Sequence, residues 1–123
     1  MGIRVRKQAF DGQAGALQDI ARSGFWPTTL VTPPGPELPM HWHDSDVHAY
    51  VIAGESYMRC GETGERLATG PGDIVEIPLG ALHAEGETAT PMTYLVAAPT
   101  TRALREYLKI QQGPVTGVAA AGD

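Results

Sequence analysis

The chain has 123 residues, 42 % of them hydrophobic and 19 % charged, with a formal net charge of −5. That length fits a single domain, residues 1–123, with a core of its own. The acidic balance argues against a general nucleic-acid binder, which needs a basic stripe, and no apolar run reaches the length of a membrane span.

The opening "MGIRVRKQAF" is basic but has no apolar stretch of signal-peptide type, and Arg6 stands where a myristoylation signal needs Ser or Thr. The single cysteine, Cys60, rules out an internal disulfide and fits a reducing, cytoplasmic location. Arg4, Arg6 and Lys7 at one end, and Arg102, Arg105 and Lys109 at the other, read as solvated surface. Residues 11–23 place Ala16, Leu17, Ile20 and Ala21 at helical spacing, with Gly24 as C-terminal cap. "FWPTTLV" is extended, and Pro27 puts it at a sheet edge. "TPPGPELP", residues 32–39, is a loop. From there to Ala98 short apolar runs alternate with turn signals, the pattern of an antiparallel sandwich or barrel. Residues 100–111 read as a helix with Leu104, Tyr107 and Leu108 on one face, and the tail after Gly113 as frayed.

Three of the four histidines lie in "HWHDSDVHAYVIAG", residues 41–54. On a strand, positions i and i+2 share a face, so His41 and His43 can tilt onto one ion while Trp42 points away. Alone, H-x-H is a weak metal signal, because paired histidines also serve as hydrogen-bonded surface residues. The fourth, His83, opens a strand after "GDIVEIPLG", where Ile74 and Val75 enter the core and Pro78 and Gly80 make a tight turn. Core histidines without a ligand would be scattered; these all fall in two windows.

The two windows resemble the two motifs of the cupin superfamily. The first, G-x5-H-x-H-x3,4-E-x6-G, is matched by Gly35, His41, His43 and Gly54, and the second, G-x5-P-x-G-x2-H-x3-N, by Gly72, Pro78, Gly80 and His83. The match covers residues 35 to about 98. It implies an all-β jelly-roll barrel, here with short N- and C-terminal helices, and one divalent metal inside it. The family's glutamate is replaced by Val47 and its asparagine by Glu87. That leaves His41, His43 and His83 as ligands. His48 lies one residue past the glutamate position, on the opposite strand parity; it joins the metal only if a bulge or shortened loop shifts the register, and Asp46 competes for that role. Otherwise His48 faces the other sheet surface or a subunit interface. Val47, Ala49 and Val51 are then the inward residues.

Imidazole is accepted by Fe, Mn, Ni, Cu and Zn, so the set does not choose among them. Three neutral ligands leave the metal charge uncompensated, which favours an anionic, chelating small-molecule substrate. Three-histidine cupins of similar pattern include dioxygenases, and the expected function is an enzyme of dioxygenase type. The alternatives are a metal-dependent isomerase or lyase and a non-catalytic small-molecule-binding module; a metal-free sugar-nucleotide epimerase would want more basic residues than Arg59 and Arg66 on the barrel. Glu76, Glu85, Glu87 and Tyr50 are acid–base candidates, although for each the more ordinary reading is a solvated strand face. A homodimer is expected through "FWPTTLV" and the outward residues Trp42, Tyr50 and Ile52.

Overall fold

The computed structural model describes residues 2–99; the helix expected over 100–111 and the tail after Gly113 lie outside them. Two antiparallel sheets face each other. The larger holds β1 (Arg4–Arg6), β6 (Ile74–Ile77), β3 (Val47–Ala53), β8 (Met92–Ala98) and β2 (Trp26–Thr32) in that spatial order; the smaller holds β5 (Arg66–Thr69), β4 (Ser56–Cys60) and β7 (His83–Glu85).

Alternation of side chains builds the space between the sheets. Val47, Ala49 and Val51 of β3 face inward, as do Val75 and Ile77 of β6 and Met92, Tyr94 and Val96 of β8; Met58 and Cys60 of β4 meet them from the other sheet. The opposite parity makes a second core. Tyr50, Ile74, Leu95 and Ala97 pack beneath α1 (Gly12–Ser23), which offers Ala16 and Ile20. Leu17 and Ala21 are exposed, so the buried helical stripe is narrower than the sequence spacing indicates. α1 ends at Gly24, whose φ of 78° is the left-handed cap that residue permits, with its N–H on Ala21 O at 3.3 Å.

Two expectations change here. Trp42 and Tyr50 are buried, so neither offers surface to a partner; on β2, Trp26 and Val31 are exposed. β2 is an edge strand, which accommodates Pro27 and its missing donor. The N-terminal basic side chains are largely exposed, as expected, but they stand on an unforeseen edge strand, β1, paired with β6; Arg6 and Arg4 reach Glu76 at 3.1 Å and 3.9 Å. No helix among the described residues is long and apolar enough to cross a membrane.

Candidate metal centre

The site is assembled where the segment before β3 runs antiparallel to β7. His41 and His83 are directly opposed and exchange backbone hydrogen bonds of 2.8 Å and 2.9 Å, which presses their rings together. Upstream, Leu38 N–H donates to Glu85 O at 3.0 Å, and Gly35 pairs with Thr88, so the proline-rich loop lies against the same strand. His43 is held from the other side: Gly80, at φ 81°, turns its N–H onto His43 O at 2.9 Å. A side chain at Gly80 would be strained in that conformation, which gives the motif glycine a direct part in placing a histidine. Asp46 accepts from Leu79 N–H at 2.8 Å and so fixes the turn rather than joining the cluster.

The three rings form a triangle with centroid separations of 4.5, 5.0 and 5.2 Å. Glu85 completes the group. It lies two residues beyond His83 on β7, hence on the same face, and its carboxylate is 3.0 Å from His41 Nε2 and 3.7 Å from His83 Nε2. One donor atom from each of His41, His43, His83 and Glu85 falls within 4.8 Å of every other. Four ligands at about 2.1 Å from a shared ion lie at most about 4.2 Å apart, a difference that small side-chain rotations cover.

Tautomers favour an ion. A carbonyl can only accept, so His41 Nδ1–H donates to Pro39 O at 2.7 Å and His83 Nδ1–H to Ala81 O at 2.9 Å. Each ring therefore turns its Nε2 lone pair toward the cluster, the arrangement that orients metal-bound histidines. His83 Nε2 is buried without a hydrogen-bond partner among the described residues, and such an orphan costs about 1–3 kcal/mol unless something satisfies it. The donor set fits a divalent transition metal.

Electrostatics in the site revise the expected charge balance. Burial works to raise the Glu85 pKa, but in the metal-free protein the facing His41 and His83 rings, which can take up a proton on Nε2, overcome it and hold the carboxyl well below the usual range. Burial likewise opposes protonation of His41, and Glu85 reverses the sign, raising His41 above its ordinary value. The candidate ligand set is thus three imidazoles and one carboxylate, not three neutral groups, and an ion there would have one of its charges offset by Glu85.

His48 stands apart. It pairs in plain register with Glu76 and Ala97; the one irregularity in β3 falls after it, between Val51 and Ala53. The ring stacks on Phe25 at 4.5 Å on the helix side of the sheet, where burial lowers its pKa. No register shift brings it inward. The other acid–base candidates are scattered too. Tyr50 donates to Asp19 at 2.5 Å beneath α1, Glu76 is paired with arginines, and Glu87 is exposed; Glu85 alone reaches the cluster.

The cluster sits in the wall of a cavity of about 500 Å3, walled by inward residues of both sheets and by the proline-rich loop. This is the size class of small-molecule sites. Tyr94, unremarked in the sequence, lines it; burial and then the Glu85 charge push its pKa up to about 12.

No protein-family model matches the chain, and no curated protein matches its sequence. Solved structures do. The polyketide cyclase RemF from Streptomyces resistomycificus is 22 % identical with a TM-score of 0.57, over 94 % of this chain and 73 % of that one. The DMSP lyase DddQ from Ruegeria pomeroyi is 24 % identical with a TM-score of 0.54, over 68 % of this chain and 44 % of the lyase. An RmlC-like cupin family protein with a double-stranded β-helix fold, from Methanocaldococcus jannaschii, is 23 % identical with a TM-score of 0.50, over 60 % and 68 %. These likenesses give the chain the cupin fold, the double-stranded β-helix.

Proposed function

On a cupin fold with three histidines and a glutamate converging at one cavity, we propose that the chain is a metal-dependent enzyme acting on a small organic molecule. The observation that carries this is the convergence of His41, His43, His83 and Glu85, with the Nε2 atoms of His41 and His83 preset for coordination. A divalent ion held there would polarise a carbonyl or enol oxygen of the substrate. Glu85 and the three imidazoles would hold it. Tyr94 remains protonated across the physiological range and can donate a hydrogen bond, and the apolar walls exclude water around the reacting group.

Ring closure or elimination without a redox change is the form supported by similarity to a polyketide cyclase and a lyase. The dioxygenase form expected from the sequence uses the same ligands and differs in needing dioxygen. The test is a turnover screen of chelator-stripped protein resupplied singly with Fe, Mn, Ni, Cu or Zn, with phenolic and keto substrates, in air and under argon. Metal-dependent turnover that persists under argon supports the non-redox form, and turnover lost without dioxygen supports the oxygenase. Saturable ligand binding with no turnover on any metal contradicts an enzyme and favours a binding module.

A further inference from the structure

The cavity differs from its polar cluster in character. Its walls are supplied by side chains such as Leu30, Val47, Met58, Ile77 and Val96, together with prolines of the loop over residues 33–36. None of the described residues lining it is a lysine or arginine, and Glu85 is the one carboxylate among them. A phosphate or a carboxylate-rich substrate would lose its hydration there and find no cation among the described side chains that line it. Sugar phosphates, nucleotides and small dicarboxylates are disfavoured on this ground.

Tyr94 gives the second half of the recognition. Its ring is buried on the inner face of β8 and lines the cavity, while its hydroxyl is not among the polar atoms sealed off without a partner. A buried phenol ordinarily finds a partner. Here the hydroxyl belongs to a side chain that lines the same cavity as His41, His43 and Glu85. From the cavity wall that hydroxyl can donate to an acceptor brought by the occupant.

We propose that the cavity takes an uncharged, largely apolar ring compound bearing a hydroxyl or keto oxygen, and that Tyr94 anchors this oxygen beside the histidine cluster. This rests on the cavity of the reading above, but not on the metal itself, so the two can fail separately. Tyr94 is a substrate-binding residue in this account. The proline-rich loop supplies a flat apolar wall for the ring, held in place by Glu37, which accepts from Tyr57 at 2.6 Å and pairs with Arg59 at 3.1 Å.

The test is calorimetric titration of the full chain, metal-supplied and chelator-stripped, with naphthalene, naphthol and naphthyl phosphate. These share one apolar body and differ in the oxygen and the charge. Stripped protein is expected to bind naphthol more tightly than naphthalene and naphthyl phosphate least. Tyr94→Phe should weaken naphthol about tenfold, the worth of one hydrogen bond, while naphthalene affinity stays unchanged and reports an intact cavity. Equal weakening of naphthol and naphthalene would make Tyr94 a packing residue and overturn the proposal. Naphthyl phosphate binding to the stripped protein as tightly as naphthol would overturn the substrate class, as would no binding of naphthol or naphthalene. Protein that takes up no metal yet shows the expected naphthol pattern would leave this inference standing and remove the metal-enzyme reading.

Discussion

Replacing Glu85 by glutamine keeps the shape of the site and removes its only negative charge. At the 3.0 Å separation from His41 Nε2, and with an effective dielectric of about 20, a unit-charge pair attracts by about 5 kcal/mol, most of it offset by the cost of burying both groups. In the metal-free protein His41 is raised above 6.5 because Glu85 outweighs burial. In Glu85→Gln burial, the largest influence, is opposed only by the smaller effect of the hydrogen bond to Pro39 O, so His41 should titrate below 6.5. The sign is the informative part, since loss of packing alone would not carry His41 across its ordinary value. Metal affinity should fall as well. A group that only orients a metal ligand is worth about 10–100-fold, and a ligand carrying the site's compensating charge should reach about 100-fold or more. In the wild type, affinity should drop as pH falls through the raised His41 value, because the proton competes for Nε2. The assays are an NMR titration of the histidines in metal-free protein and competition with a chromophoric chelator. An unchanged His41 titration together with wild-type metal affinity in Glu85→Gln would refute the reasoning.

His48→Ala should retain metal while His41→Ala, His43→Ala and His83→Ala lose it, measured as metal per chain after dialysis; equal loss in all four would place His48 in the site after all. Tyr50→Phe should leave metal binding unchanged and cost about 1–2 kcal/mol in denaturant unfolding, since it removes the hydrogen bond to Asp19 that ties β3 to α1. Asp73 is buried, accepts from Gln8 N–H and Gly70 N–H at 2.9 Å each, and pairs with Lys7; although burial opposes it, these partners lower its pKa below 3.8. Asp73→Asn should therefore cost about 2–4 kcal/mol at neutral pH. A depressed folded-state pKa stabilises above the unfolded value, so that difference should shrink as pH falls below about 4, and a pH-independent difference would contradict the assignment. The expected homodimer now rests on β2 and its exposed Trp26; sedimentation should show a dimer that Trp26→Glu dissociates, and a wild-type monomer at micromolar concentration removes the idea.

The barrel was legible because its strands carry period-two patterns between glycine and proline turns. Val47, Ala49 and Val51 face inward as parity indicates. The histidine convergence was legible only through motif spacing, since nothing local to residue 41 or 83 shows that the two segments pair backbone to backbone. Glu85 was missed as a ligand because the carboxylate was sought at position 47, on β3. The available signal was the H-x-E of His83 and Glu85, the same i, i+2 logic that joins His41 to His43. Tyr94 carries no local signal, because an aromatic on an apolar strand reads as core, and only the cavity opposite sets it apart. Tyr50 and Trp42 were read as outward from alternation alone. Alternation gives the face but not what covers it, and α1 covers the face on which Tyr50 lies. β1 was hidden because three residues with two arginines resemble a solvated tail until Glu76 is opposite them.

The claim on which the rest depends is that one ion sits among His41, His43, His83 and Glu85. Anomalous diffraction from crystals of metal-supplied protein, recorded at that metal's absorption edge, tests it most directly. The account predicts a single strong peak bonded to Nε2 of His41 and His83, one ring nitrogen of His43 and the Glu85 carboxylate. A crystal with metal elsewhere, or with the four side chains ordered and no peak among them, would contradict it.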